Sequence, residues 1–124
     1  MPQRNSIKQY LAGGYYHLYN RGVEKRNIFE EEQDYGVFLS YLKTYLTHKD
    51  IDDLQKQLAN SQLPWSEKDK ILKALRLNNF SGEITLLAYC LMPNHFHLFI
   101  HQKSPQSIDR FMQSLATRYS MFFN

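Results

Sequence analysis

Two histidines, His95 and His97, lie two residues apart in an otherwise apolar stretch, and their side chains are well suited to metal chemistry. Side chains alternate along a β-strand, so both imidazoles would lie on one face of it. Phe96, Leu98 and Ile100 would lie on the opposite face and join a core. Imidazole binds divalent metal ions, and a strand holds two such ligands rigidly. The spacing therefore predicts a metal site, and the alternative is an ordinary polar face exposed to solvent.

The residues around this pair favour the metal site. Pro93 and Asn94 immediately precede His95, which predicts a turn that places the histidines at the rim of the sheet, where functional residues concentrate. Asn94 would either orient a phosphate or hold the turn. His101 has the same parity but lies about 13 Å beyond His97 along a strand. We therefore expect His101 to be a surface histidine outside the site.

Composition limits the class of protein. The 124 residues suffice for one domain with a real core, and we treat 1–124 as one domain. The net charge of +3 permits a nucleic-acid partner without requiring one. Cys90 is the only cysteine, which excludes an internal disulfide, and its apolar neighbours predict a buried side chain. Since the sequence has no apolar run of transmembrane length and no signal-peptide pattern, we expect a cytoplasmic protein.

The first part of the chain predicts a strand followed by helices. Residues 1–14 are expected to form an extended leader. Aromatic residues over 15–20, bounded by glycines, predict a strand. Helical spacing of apolar residues predicts a helix over 31–48. Two short amphipathic helices are expected within 50–83, as a helical insertion in a simpler fold.

The second part predicts a hairpin and a final helix. The nearly continuous apolar run over 84–92 predicts a central strand buried on both faces, and 95–102 is its hairpin partner. Ser104 and Pro105 suit the start of a helix. These elements predict an α+β fold, an antiparallel sheet with helices packed on it, of the ferredoxin-like type. The apolar ending at Asn124 suggests that the C-terminal part of this fold is missing.

Three stretches of the sequence carry a family resemblance. The first is Tyr16–Gly22 with Arg26–Phe29 after it, the second is Leu87–Leu98, and the third begins at Phe111 and includes Arg118 and Tyr119. Together they resemble the REP-associated tyrosine transposases, single-tyrosine enzymes of the HUH superfamily. The Met-Pro-Asn-His-Phe-His run is a specific signal. The resemblance covers most of the chain except the leader and the insertion.

The resemblance implies an HUH nuclease fold and metal-dependent cleavage of single-stranded or hairpin DNA. His95 and His97 would be the catalytic residues that bind magnesium or manganese, and the ion would polarise the scissile phosphate. A tyrosine would attack that phosphate, leaving a 5′-phosphotyrosine link and a free 3′-hydroxyl. The covalent link would conserve the bond energy for strand transfer.

The sequence departs from the family at the nucleophile. In the family this tyrosine lies on a later helix, in a Tyr-Ile-His-x-Asn-Pro-like motif that the sequence lacks. Tyr119 lies on the apolar stripe of the final helix, so we expect a core residue whose hydroxyl is remote from the histidines. If the protein ended at Asn124, it would bind metal and DNA without completing the reaction.

Basic residues near the predicted site favour contacts with DNA. We expect Arg21, Arg26 and Asn94 to bind the DNA backbone, and Arg110 and Arg118 would also suit contacts with DNA. For each of these arginines the alternative is ordinary surface charge. The alternatives to a transposase are a non-catalytic DNA-binding module derived from one and an unrelated metallohydrolase, for which no second ligand cluster occurs. An exposed edge strand would allow a homodimer, and no membrane partner is expected.

Overall fold

The computed structural model describes residues 10–124. The elements follow in the order β1 (Tyr15–Arg21), a 3₁₀ turn (Val23–Lys25), α1 (Glu32–Leu46), α2 (Ile51–Leu58), α3 (Trp65–Arg76), β2 (Ile84–Met92), β3 (His95–Gln102) and α4 (Ser107–Phe123). The expectation of an extended leader falls mostly on residues 1–9, which lie outside the described residues. Within 10–124 no helix is long and apolar enough to cross a membrane.

The three strands form one antiparallel sheet with the order β1-β3-β2. Since β1 and β2 are both antiparallel to β3, they run parallel to each other on its two sides, and α1 lies in the connection between them. This is the split β-α-β arrangement of ferredoxin-like folds, so the predicted α+β fold with an antiparallel sheet is confirmed.

The prediction that residues 84–92 form the central strand is wrong. Strand β3 is central, and β2 has one free edge because β1 occupies the other side of β3. Ile84 is the fully buried residue of β2, while Leu87, Tyr89 and Met92 are exposed. The prediction that Cys90 is buried is also wrong, since it is exposed on this same edge strand.

The core lies between one face of the sheet and the helices α1 and α4. Leu98 and Ile100 at the centre of β3 are fully buried, and the ring of Phe96 lies 4.9 Å from that of Phe38 on α1. The two helices contribute further buried apolar residues to this cluster, namely Leu42, Tyr45, Ile108, Phe111, Leu115 and Tyr119. Because the even-numbered residues of β3 fill the core, its odd-numbered residues lie on the opposite face.

Helix α4 begins at Ser107, three residues after the predicted cap at Ser104. Gln102, the last residue of β3, is fully buried, and its Oε1 accepts a hydrogen bond of 3.2 Å from the backbone N–H of Ile108. The buried glutamine therefore satisfies a free N–H in the first turn of the helix, as a capping side chain would. Helices α2 and α3, the two short helices expected within 50–83, contact each other.

Candidate functional site

The face of the sheet opposite α1 and α4 carries the predicted metal ligands. We call it the histidine face and define it by the odd-numbered residues of β1 and β3, which are Tyr15, His17, Tyr19, Arg21, His95, His97, Phe99 and His101. Tyr15 is 63% exposed and Phe99 41%, although both are large and aromatic. The histidine face is therefore accessible over the length of the two strands.

His95 and His97 lie on the same side of β3, as the alternation predicts. Their ring centroids are 5.0 Å apart and the rings are nearly perpendicular, at 87°. Both side chains are half-buried, whereas Phe96 between them is buried in the core. Within residues 10–124, no group of three or more histidine, cysteine or acidic side chains is arranged to hold a metal ion. The imidazoles of His95 and His97 are therefore described as a pair on one side of β3.

Asn94 determines the tautomer of His95. Its Oδ1 lies 2.7 Å from Nδ1 of His95, and its Nδ2 donates to the carbonyl of Lys25 at 3.5 Å. The amide oxygen can only accept a hydrogen bond, so Nδ1 of His95 must carry the hydrogen. The lone pair of a neutral His95 is then on Nε2, the atom available to a metal ion.

His17 lies beside the histidine pair, a contact that the spacing of His95 and His97 did not predict. In the structure its Nε2 lies 2.7 Å from Nδ1 of His97, and the two rings stack with centroids 4.9 Å apart at 13°. His17 pairs with Phe99 across the strands, so His97 is its diagonal neighbour. The sequence could have indicated this, because His17 is two residues from both Tyr15 and Tyr19 in β1 and alternation places all three on the histidine face.

The environment of His97 favours its neutral form. Desolvation lowers the pKa of His97 below its usual value, and the neighbouring His17 and His95 lower it further. A neutral imidazole keeps one nitrogen lone pair, which is the form that binds metal ions.

Tyr19 and Tyr119 lie on opposite sides of the sheet, and only Tyr19 is close to His95 and His97. Tyr19 lies opposite His97 on β1, and its ring centroid is 5.0 Å from that of His97 and 5.5 Å from that of His95. Tyr119 lies in the core beneath the sheet, and its hydroxyl donates to the carbonyl of Ile28 at 2.5 Å. Burial raises the pKa of Tyr119 far above its usual value. Tyr119 is therefore a core residue, as predicted.

The loop after β1 is attached to the turn that precedes the histidines. The N–H of Gly22 donates to the carbonyl of Asn94 at 2.9 Å, and the N–H of Ile28 donates to the carbonyl of Pro93 at 2.8 Å. A side chain at position 22 would collide with the backbone oxygen of Arg26, which explains the glycine. These contacts hold a basic loop beside the histidine pair.

The arginines fall into two groups. Arg21 pairs with His95 across the strands, and Arg26 lies in the attached loop; both are exposed. Arg110 instead donates twice to the carboxylate of Glu83, at 2.9 and 3.1 Å. Arg118 packs on the ring of a tyrosine of α1, 4.0 Å from its centroid. Arg21 lies beside the histidine pair, with its guanidinium 5.7 Å from the ring centroid of Tyr19. Arg26 forms an exposed ion pair with Glu24 at 3.7 Å, whereas Arg110 and Arg118 contact parts of the fold away from the histidines.

The antiparallel α+β fold, with a histidine-phenylalanine-histidine run on its central strand, is consistent with the fold of HUH transposases. The family of IS200-like transposases matches residues 55–124, which is more than half of the chain. The protein belongs to this family, so DNA is its partner and DNA transposition is its general activity. The matched range contains Asn94, His95 and His97, whereas His17 and Arg21 precede it. No curated protein and no solved structure matches the chain.

Proposed function

We propose that the protein cleaves single-stranded DNA and transfers the cut strand, with a divalent ion bound by His95 and His97. The observation that carries the proposal is the orientation of the two imidazoles. Nδ1 of each lies 2.7 Å from a neighbouring side chain, while no residue within 10–124 makes a hydrogen bond to either Nε2. Nε2 of His95 therefore keeps a lone pair for a ligand, and Nε2 of His97 keeps one when the hydrogen of that ring is on Nδ1.

The proposed magnesium or manganese ion would be only partly held by the protein. Two imidazole nitrogens would fill two positions, and water and phosphate oxygens, the ligands that these ions prefer, would fill the others. Such an ion would supply charge that polarises the scissile phosphate. The protein's own part is to hold His95 in one tautomer through Asn94 and to keep both rings at the rim of β3.

The DNA backbone would be bound by the residues around the pair. Arg21 and Arg26 are exposed, and guanidinium groups bind phosphates with two parallel hydrogen bonds. Asn94 uses one hydrogen of Nδ2 for the carbonyl of Lys25, which leaves the other for a phosphate oxygen. These contacts read no bases, so they position a strand and leave the choice of sequence to other parts of the site.

The covalent step in this proposal is the attack of a tyrosine hydroxyl on the phosphorus. The new phosphorus–oxygen bond gives a 5′-phosphotyrosine, and the leaving oxygen becomes the 3′-hydroxyl of the other strand end. Tyr119 does not perform this attack, because its hydroxyl is buried and bound to the carbonyl of Ile28. Peptide mapping of the trapped DNA adduct would show whether the attacking tyrosine is one of the nine in this sequence or lies outside it.

A cleavage assay on single-stranded hairpin DNA, with magnesium or manganese, tests the proposal. The variant with both His95→Ala and His97→Ala should lose cleavage, keep its circular dichroism spectrum and bind DNA nearly as well as the wild type. His101→Ala is the matched control, a histidine of the same face outside the pair. Full cleavage by the double variant would refute the role of the pair. DNA binding by the wild type with no cleavage would favour the non-catalytic module.

The localisation, the type of DNA element and the oligomeric state of the protein are further parts of the proposal. We place the protein in the cytoplasm and associate it with repeated palindromic elements, following the single cysteine and the family resemblance. The free edges of β1 and β2 would allow a homodimer by strand pairing, which light scattering after gel filtration would detect.

A further inference from the structure

The contact between His17 and His97 has two possible hydrogen-bond arrangements. In the first, Nδ1–H of His97 donates to Nε2 of His17, and the lone pair of His97 is on its free Nε2. In the second, Nε2–H of His17 donates to Nδ1 of His97, and Nε2 of His97 carries a hydrogen. Only the first leaves His97 able to bind an ion through Nε2, because a protonated nitrogen has no lone pair.

We propose that His17 is a positioning residue for the ion site, accepting the Nδ1 hydrogen of His97 so that Nε2 faces the ion. This inference rests on the proposed function. In this arrangement each ligand has an acceptor on its Nδ1: Asn94 accepts from Nδ1 of His95, and His17 accepts from Nδ1 of His97. An acceptor on the second nitrogen fixes the ring orientation of a metal-binding histidine and increases its basicity.

The geometry favours this role over direct ligation by His17. In this arrangement Nε2 of His17 accepts the hydrogen of His97 at 2.7 Å and Nδ1 of His17 carries a hydrogen, so a neutral His17 has no lone pair left for an ion. The near-parallel stacking of the two rings also restricts rotation of His97 about its side-chain bonds.

Manganese binding, measured by electron paramagnetic resonance without DNA, tests the inference independently of catalysis. His17→Phe keeps a ring but removes the acceptor, and we expect it to weaken manganese affinity about 10-fold or more. His17→Gln restores an acceptor oxygen and should recover part of the loss. His101→Phe, on the same face of β3, is the matched control and should bind like the wild type.

Electron spin echo modulation, which counts the nitrogens bound to manganese, completes the test. Two coordinated imidazoles in the wild type, and weaker binding in His17→Phe, support the inference. Three coordinated imidazoles would overturn it, and so would wild-type affinity in His17→Phe. If His95→Ala binds manganese as tightly as the wild type, the proposed function itself fails; if only the His17 variants behave like the wild type, the positioning role alone fails.

Discussion

Substituting Tyr119 by phenylalanine separates a structural tyrosine from a catalytic one. The hydroxyl of Tyr119 donates to the carbonyl of Ile28 at 2.5 Å, and the side chain is 7% exposed. The phenylalanine ring would keep the packing against Phe29 and Phe38, so no cavity is created. The loss is therefore one hydrogen bond and a carbonyl left without its partner, which costs about 1–2 kcal/mol in the free energy of unfolding.

Urea unfolding, followed by circular dichroism, measures this difference, and a cleavage assay on the same preparation measures activity. We expect Tyr119→Phe to unfold at lower urea with an unchanged slope, and to cleave DNA at the wild-type rate under conditions where it is folded. A variant that is as stable as the wild type but does not cleave DNA would refute this reasoning, because Tyr119 would then be the attacking residue.

Four other outcomes follow from the structure. Above pH 10, the wild type should lose stability that Tyr119→Phe keeps. The hydroxyl of Tyr119 has a raised pKa in the folded state, so above pH 10.0 it ionises in the unfolded chain first, which favours unfolding; urea titrations of both proteins at pH 8 and 11 measure the difference. Gly22→Ala should cost about 1–3 kcal/mol, since the added carbon meets the Arg26 backbone, and unchanged stability would contradict that contact. Leu98→Ala should cost about 2–5 kcal/mol, measured by urea unfolding, because the side chain is fully buried. Changing Arg21 and Arg26 to Gln should lower the slope of log affinity against log salt by about two, and an unchanged slope would exclude them as phosphate contacts.

The alternation of β3 was predictable because it depends on local sequence. Phe96, Leu98 and Ile100 alternate with the histidines, and a strand period of two requires opposite faces. The contact of His17 with His97 was not predictable, since it joins residues 80 positions apart and depends on the register between β1 and β3. Local sequence places His17 on a face but does not choose its cross-strand neighbour.

The position of β2 was misjudged for a related reason. An apolar run such as Ile84–Met92 indicates burial on both faces, but which strand occupies the centre is decided by how the whole chain is connected. Here β3 follows β2 by a tight turn and is inserted between β2 and β1. The start of α4 was misplaced for a different reason, because the buried side chain of Gln102, six residues before Ile108, accepts a hydrogen bond in the first turn of the helix.

The central claim is that His95 and His97 bind a divalent ion through their Nε2 atoms on the histidine face. A crystal of the protein grown with manganese, with anomalous diffraction data collected at the manganese edge, tests it most directly. The account predicts an anomalous peak within coordination distance of both Nε2 atoms, with Nδ1 of His95 on Asn94 and Nδ1 of His97 on His17. A peak elsewhere on the protein, or bound manganese that touches neither histidine, would contradict it.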